Sequence, residues 1–206
     1  MLEYQDISNI SNIQCLAFIR PLLPGSMEVV NNVRTLHNLA LVGFMGTGKS
    51  TIGRLAAELM QFTFADTDAL IEARLGRTIS DVFAAEGEPA FRQYEKKAVE
   101  ELSRGQRLVI ATGGGLVMDP ANMASLKSHS LVIWLCATPE AIWERVRSQT
   151  HRPLLQAPDP LAKIREMLAA RAPSYRGADV YIDSGMRTPR EVALQLAHQF
   201  HLARKK

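Results

Sequence analysis

Several features that would point directly to a function are scarce in this sequence of 206 residues. Its two cysteines, Cys15 and Cys136, are far apart and form no metal-binding or redox spacing, which fits a reducing compartment. The five histidines form no H-E-x-x-H motif. No apolar run approaches the length of a membrane span, and a net charge of only +3 does not indicate a nucleic-acid partner. The sequence therefore favours neither a membrane protein, nor a disulfide scaffold, nor a strongly basic nucleic-acid-binding protein.

The first 36 residues lack the patterning of the rest. They are rich in Asn and Ser, show no periodicity, and carry the acidic Glu3 where a secretory signal needs basic residues. We predict a loosely ordered extension over 1–36, with a translation start at Met27 as the alternative, and one domain over 37–206. A hydrophobic content of 47% with 22% charged residues is that of an ordinary globular protein.

A phosphate-binding loop is the clearest motif. Residues 43–50 read G-F-M-G-T-G-K-S, a full match to G-x-x-x-x-G-K-[ST]. An apolar strand pattern over 39–42 precedes it, and helical spacing follows it. In such a loop glycines let backbone N–H groups converge on phosphate, while Lys49 reaches the β- and γ-phosphates and the Ser50 hydroxyl reaches Mg²⁺. The sequence therefore predicts binding of a nucleoside triphosphate.

Strands and helices alternate from residue 37 onward, a pattern typical of a parallel sheet covered on both faces. Two stretches interrupt the alternation. Several helices over 66–105 separate the second and third strands, and a Pro-rich loop lies at 150–160. Both are candidates for mobile pieces that close over a substrate. We predict strands over 38–43, 62–65, 107–111, 131–136 and 179–182, and helices over about 48–60, 67–75, 78–86, 89–103, 120–127, 138–149, 160–172 and 189–203.

The position of the acids narrows the reaction class. The apolar strands 107–111 and 131–136 do not end in Asp or Glu, whereas the short strand 62–65 is followed by Asp66-Thr67-Asp68. This argues against a GTPase or a motor ATPase with a Walker-B acid. It favours a small-molecule kinase in which one acid serves the metal and another serves the acceptor hydroxyl. The alternative for Asp66 is a simple helix cap.

Arginines and a glycine run supply candidate groups for an anionic acceptor. Arg92 and Glu95 lie three apart on a predicted helix, so Glu95 can hold the guanidinium ready for a carboxylate; an ordinary surface ion pair is the alternative. Gly113-Gly114-Gly115 follows a buried strand, where open α/β sheets bind ligands. Arg152 lies in the Pro-rich loop, where it could reach the transferring phosphoryl group, and Arg171 ends a helix.

Taken together and in this order, the chain resembles the shikimate kinase family. The resemblance covers about 38–204. The phosphate loop is generic, whereas the combination of D-T-D, F-R-x-x-E, G-G-G and R-P-L-L at these spacings is highly specific. The matching segments are 43–51, 66–68, 91–95, 113–115, 152–155 and 171–175.

The resemblance implies a three-layer P-loop α/β fold with parallel strand order 2-3-1-4-5 and a mobile lid. It implies ATP-dependent phosphorylation of the 3-hydroxyl of shikimate, in the pathway to chorismate and the aromatic amino acids, by a cytoplasmic monomer without nucleic-acid or membrane partners. By position, the catalytic residues are Lys49, Asp68 and Arg152, with Mg²⁺ held by Ser50 directly and by Asp66 through water. Shikimate is held by Asp68, Arg92, Gly114, Gly115 and Arg171, with Glu95 orienting Arg92. ATP is held by Gly46, Thr47, Gly48, Lys49, Ser50, Thr51, Arg145, Arg152 and Arg187.

Two other readings stay open at this point. Another small-metabolite kinase of the same fold, such as a gluconate kinase, also acts on a substrate with a carboxylate and hydroxyls. A non-catalytic ligand-sensing module of the same fold would be expected to have lost Lys49, Asp68 or Arg152, and the sequence keeps all three.

Overall fold

The computed structural model describes residues 34–148 and 158–204. Five strands and seven helices alternate through these residues. The strands are β1 (Asn38–Val42), β2 (Thr63–Asp66), β3 (Leu108–Ala111), β4 (Ser130–Cys136) and β5 (Val180–Asp183). The helices are α1 (Lys49–Met60), α2 (Thr67–Leu75), α3 (Ile79–Leu102), α4 (Pro120–His129), α5 (Pro139–Val146), α6 (Pro160–Tyr175) and α7 (Pro189–Arg204).

The strands form one parallel sheet in the order β2-β3-β1-β4-β5, as the resemblance implied. Strand β1 lies in the centre, with Leu39 opposite Val109 of β3 and Leu131 of β4. Because all five strands run in the same direction, their carboxyl ends meet at one edge. The loops that follow β1, β2 and β3 therefore lie side by side, and these loops carry the phosphate loop, the acids and the glycine run.

Helices cover both faces of the sheet, because β1 and β4 are apolar on both sides. Alternate residues such as Ala40 and Val132 face a core shared with α3, α4 and α6. Their neighbours Leu41 and Ile133 face a second core shared with α1 and α7. This two-sided burial is what a continuous apolar strand pattern predicts.

The two helices predicted over 78–86 and 89–103 are joined in α3, with a break between them. Gly87 has φ 78° and ψ 175°, which is outside the helical region and is easily adopted only by glycine. The break divides α3 into a segment that begins at the Thr78 cap and a segment that carries Arg92 and Glu95. The predicted helix over 138–149 ends earlier, at Val146.

The folded domain begins before the predicted boundary at residue 37. Leu36 is buried in the core beside α1 and α7, and Arg34 forms an ion pair with Asp179 at 2.7 Å. These contacts tie residues 34–36 to the domain, although their lack of periodicity predicted that they belong to the extension over 1–36. Residues 1–33 lie outside the described part of the chain. Within that part, no helix is both long enough and apolar enough to cross a membrane.

A buried polar cluster closes the amino end of the sheet, opposite the loops named above. Asn38 donates to the carbonyl of Gly105 at 2.9 Å and contacts His129 Nδ1 at 3.0 Å. Ser130 Oγ also lies 2.9 Å from this nitrogen. Burial, together with the nearby His37, lowers the pKa of His129, and its Nε2 is buried without a hydrogen-bond partner. The site therefore favours a neutral imidazole.

We expect His129 to make the protein less stable in mild acid. The unfolded chain takes up a proton near the ordinary histidine pKa of about 6.5, whereas the folded chain resists it until lower pH. Its stabilising contribution is therefore complete above pH 6.5 and is lost as the pH falls, by at most about 1.4 kcal/mol per pH unit. Denaturant unfolding at pH 7.5 and 5.5 measures this slope. It should flatten in His129→Gln and persist in the control His198→Gln, which replaces an exposed histidine; equal slopes in both variants would contradict the prediction.

Candidate active site

A cleft of about 780 Å³ opens at the carboxyl edge of the sheet. Most of the residues selected from the sequence line it, although they come from seven different segments of the chain. Thr47 does not: it is buried, and its hydroxyl donates to the carbonyl of Phe44 at 2.8 Å. Arg152 and most of the predicted lid lie outside the described residues. The predicted residues that line the cleft are Gly46, Gly48, Lys49, Ser50, Thr51, Asp66, Asp68, Arg92, Glu95, Gly114, Gly115, Arg145, Arg171 and Arg187.

The phosphate loop has the backbone bends that its glycines allow. Gly46 and Gly48 have φ of 75° and 88°, a region that side chains with a Cβ rarely adopt. Lys49 folds back over the loop and donates to the carbonyls of Gly43 and Phe44, each at 2.8 Å. Helix α1 starts at Lys49, so its unpaired N–H groups face the cleft. The loop therefore presents backbone N–H groups and one cation to the same space.

The Asp66 carboxylate caps a helix, as one of its two sequence interpretations predicts, and it also contacts the phosphate loop. Its Oδ1 accepts from the N–H groups of Asp68 and Ala69 and so caps α2. Its Oδ2 accepts from Ser50 Oγ at 2.7 Å. The cap fixes the carboxylate beside the phosphate loop, and two oxygen ligands of the kind that Mg²⁺ prefers lie together at the cleft.

Arg92 is held between two carboxylates on its own helix. Its Nη1 donates to Glu95 at 2.6 Å, while Nε and Nη2 donate to Glu88. Glu95 is only 1% exposed, and burial raises its pKa, against the opposing effect of Arg92. Burial disfavours the charged form of Arg92 as well, but the hydrogen bonds to Glu95 and Glu88 outweigh it and leave the pKa raised. The guanidinium is therefore charged and fixed in place.

The glycine run lets the backbone approach these charged groups. Gly113 donates its N–H to Thr67 Oγ1 at 2.9 Å, which joins the D-T-D segment to the end of β3. A Cβ at Gly113 would lie 2.6 Å from Asp68 Oδ1, and a Cβ at Gly115 would lie 2.8 Å from Arg92 Nη1. Both distances are shorter than van der Waals contact, so glycine is required where acid and arginine converge.

We expect Gly115→Ala to weaken acceptor binding and to lower stability by about 1–3 kcal/mol. The new methyl group would displace the guanidinium of Arg92, which is held by the buried Glu95 and moves only at the expense of that hydrogen bond. The displaced guanidinium would lose a charge-assisted contact with the acceptor, which corresponds to a rise in KM of about tenfold or more. Steady-state kinetics together with thermal unfolding test this. Gly105→Ala is the control, because it adds a methyl group against the end of the Leu108 side chain, away from the cleft. An unchanged acceptor KM in Gly115→Ala would refute the expectation.

A second arginine approaches the glycine run from α6. Arg171 donates to the carbonyl of Gly114 at 3.3 Å and lies over the ring of Phe44, 5.4 Å from its centroid. Tyr175 donates its hydroxyl to the same carbonyl at 2.5 Å. Burial raises the pKa of Tyr175 to about 12, so the phenol stays protonated as a donor. Arg171 and Arg92 therefore line the same cleft and reach neighbouring glycines of the run from two different helices.

The part of the cleft on the side of β4 and β5 is lined by Arg145 of α5 and by two residues that follow β5, Ser184 and Arg187. Arg145 donates to the carbonyl of Gly46 at 3.3 Å and to that of Ser184 at 2.5 Å. Ser184 is buried and donates to the carbonyls of Thr47, at 2.8 Å, or Cys136, at 3.0 Å. Arg187 contacts Gln195 of α7. These bonds connect the phosphate loop to α5 and to the loop after β5.

Several contributors to the cleft were not selected from the sequence. Thr67 and Tyr175 lie inside motifs that were noticed, so their hydrogen bonds could have been considered. Glu88 gave a weak signal, four residues before Arg92, and Ser184 gave none. An apolar wall was missed because its residues lie on separate turns of α3; it consists of Ile79, Phe83 and Phe91. The fold and this site together define a P-loop kinase of a small anionic metabolite.

Comparison with known proteins identifies the family. The family model for shikimate kinase matches residues 45–201. A shikimate kinase from Symbiobacterium thermophilum is 46% identical over 162 residues, covering 77% of this chain and 93% of the relative. One from Caldanaerobacter subterraneus subsp. tengcongensis is 42% identical over 165 residues, covering 80% and 96%. The chain belongs to the shikimate kinase family, and it is an ATP-dependent kinase.

Solved structures agree with this assignment. A shikimate kinase from Acinetobacter baumannii in complex with shikimate matches with a TM-score of 0.78 at 37% identity, covering 84% of this chain and 97% of that one. A gluconokinase from Sinorhizobium meliloti matches with a TM-score of 0.54 at 16% identity. The second likeness shows a shared fold alone and gives no support to gluconate as the substrate.

Proposed function

We propose that this chain transfers the γ-phosphoryl group of ATP to the 3-hydroxyl of shikimate, giving shikimate 3-phosphate and ADP. The observation that carries the proposal is the meeting of Arg92, Arg171 and Asp68 around the glycine run, directly beside the phosphate loop. Two arginines suit a carboxylate, and one carboxylate suits ring hydroxyls. Membership of the shikimate kinase family supports the same substrate.

The acceptor half of the site lies on the side of β2 and β3. Arg92 and Arg171 would bind the shikimate carboxylate, with Glu95 holding Arg92, and the amides of Gly114 and Gly115 would bind oxygen atoms. Asp68 would accept a hydrogen bond from the 3-hydroxyl and take its proton as the new O–P bond forms. The bond between the γ-phosphorus and the bridging oxygen breaks at the same time, and ADP leaves with that bond's electron pair.

The donor half lies on the side of β4 and β5. The loop amides and Lys49 would bind the β- and γ-phosphates, and Arg145 would pack on adenine near Arg187. Arg152 would add positive charge beside the transferring phosphoryl group, from a lid over 150–160. Arg152 and most of this lid lie outside the described residues. Phosphoryl transfer needs mainly alignment and neutralisation of charge, which these cations provide.

The residues present fit a magnesium ion. Ser50 Oγ and Asp66 Oδ2 lie 2.7 Å apart at the cleft, and both are hard oxygen ligands. Within residues 34–148 and 158–204 no group of three or more Asp, Glu, His or Cys side chains converges. This matches an ion held by one or two protein ligands together with phosphate oxygens. Ser50 would ligate the ion and Asp66 would hold one of its waters; when bound, the ion neutralises phosphate charge.

We further propose that the enzyme works as a cytoplasmic monomer without nucleic-acid or membrane partners, and that residues 66–105 form its acceptor-binding region. Release of ADP in a coupled assay with ATP, Mg²⁺ and shikimate tests the function, with gluconate as the matched acid. We expect turnover with shikimate well above the ATP-only rate and none with gluconate. Turnover with gluconate but not with shikimate, or no turnover with either acid, would refute the proposal. Size-exclusion chromatography with light scattering tests the monomer.

A further inference from the structure

Glu88 contacts the edge of Arg92 that is best suited to a substrate carboxylate. The Nε and Nη2 hydrogens of an arginine point the same way and can bind both oxygens of one carboxylate. In this structure both nitrogens donate to a single oxygen of Glu88, Nε at 3.1 Å. This edge is therefore engaged by a carboxylate that belongs to the protein.

The other edge of the guanidinium is less accessible. Its Nη1 donates to Glu95, and Gly115 lies so close that even a Cβ there would come within 2.8 Å of Nη1 and 2.9 Å of Nη2. A substrate carboxylate that makes a two-point contact with Arg92 must therefore use the edge of Nε and Nη2. Glu88 and the substrate cannot both occupy it.

The two carboxylates on Arg92 differ in how easily they can leave. The Glu95 side chain is 1% exposed, so separating it from Arg92 would strand a buried charge. The Glu88 side chain is 62% exposed, and water can solvate its carboxylate as soon as it turns away. An exposed pair four residues apart on a helix is weak. Glu95 is thus the permanent partner of Arg92 and Glu88 the exchangeable one.

We propose that Glu88 competes with the substrate carboxylate for Arg92 and thereby acts as a specificity-determining residue. This inference rests on the proposed role of Arg92 in binding that carboxylate. An acceptor with a carboxylate displaces Glu88 and gains the contact that Glu88 gives up. An acceptor without one leaves the Arg92–Glu88 pair intact and gains nothing there. Glu88 therefore lowers the affinity for an acceptor with a carboxylate. It also neutralises the charge of the Arg92 guanidinium when no such acceptor is bound.

The test compares the affinities for shikimate and for its methyl ester, measured by calorimetry. Glu88→Gln keeps the shape of the side chain and removes its charge. Shikimate should bind about 1.5- to 5-fold more tightly, the range for loss of an exposed competing pair, while the ester is unaffected. The ratio of the two affinities therefore rises. Glu88→Asp should shift the ratio in the same direction, because the shorter side chain withdraws the carboxylate. Glu100→Gln, exposed on the same helix, should leave it unchanged.

Weaker binding of shikimate by Glu88→Gln, or an unchanged ratio, would overturn the inference and make Glu88 a positioning residue or a bystander. Arg92→Ala separates this failure from a failure of the proposed function. Because Arg171 also faces the carboxylate, the preference for the acid over the ester should fall in Arg92→Ala without vanishing. If that variant keeps the full preference, the role of Arg92 itself is wrong. If the preference falls in Arg92→Ala but Glu88→Gln leaves the ratio unchanged, only the competition is wrong.

Discussion

Lys49→Ala should reduce kcat by about 10²–10³-fold, the usual result of removing one group that stabilises charge in a transition state. The ammonium group lies at the phosphate loop, donating to the carbonyls of Gly43 and Phe44. From there it would reach the β- and γ-phosphates of ATP, where charge shifts as the phosphoryl group moves. The loss should therefore appear in kcat as well as in kcat/KM.

The same lysine also ties down the loop, so folding must be measured alongside activity. We expect the circular dichroism spectrum of Lys49→Ala to match that of the parent protein, because the side chain packs on loop carbonyls at a cleft and not in either main core. Lys97→Ala, which removes an exposed lysine from α3, is the control and should keep full activity. A near-normal kcat in Lys49→Ala would mean that the role proposed for the phosphate loop in phosphoryl transfer is wrong.

Arg92→Ala should weaken shikimate binding by roughly 10- to 150-fold, which corresponds to the loss of one charge-assisted contact of about 1.5–3 kcal/mol. The KM for ATP should change far less, because Arg92 lies on the acceptor side of the cleft. Arg92→Lys should recover only part of the affinity, since an ammonium group cannot reproduce the two-point contact. An unchanged Kd for shikimate in Arg92→Ala would contradict the assignment.

The same substitution should also make stability fall more steeply as the pH rises. Without Arg92 the buried Glu95 loses the contact that opposes the burial effect on its pKa, so its folded-state pKa rises further above the unfolded value of about 4.5. A raised carboxyl pKa means that stability is complete below pH 4.5 and is lost as the pH rises towards the folded-state pKa. We therefore expect Arg92→Ala to lose about 1–3 kcal/mol near pH 8 and less near pH 5. Glu95→Gln in the same chain should remove this pH dependence, and a deficit that does not change with pH would argue against a charged Glu95.

The sequence predicted the parts of this fold that depend on local patterns. The apolar strands, the phosphate loop and the acids after β2 are each contained in a short segment, and their physical meaning is independent of the rest of the chain. The order of the strands in the sheet could not be predicted from such local patterns. Nothing in residues 62–65 shows that β2 pairs with β3 at the edge of the sheet, and that order came from the family resemblance.

The site was predictable where its contacts lie within one short motif and unpredictable where they join distant segments of the chain. Arg92 and Glu95 lie three apart, so their pairing follows from helix geometry. The bond between Ser184 and the carbonyl of Thr47 joins residues 137 positions apart, and its existence depends on the packing of β4 against β5. The effect of the Gly87 break was not predicted either. The break places Glu88 at the start of the helical segment that carries Arg92.

The central position of β1 places the acceptor site and the nucleotide-base site on opposite flanks of the sheet. Apart from Arg171, the groups proposed to recognise the acceptor come from α2, α3 and the loop after β3, on one side of the central strand. Those proposed to hold the nucleotide base come from α5 and the loop after β5, on the other. Asp66 joins the two flanks, because it caps α2 and accepts a hydrogen bond from Ser50 of the phosphate loop. For engineering, substitutions that change the acceptor can therefore accumulate on one flank as long as Asp66 is kept.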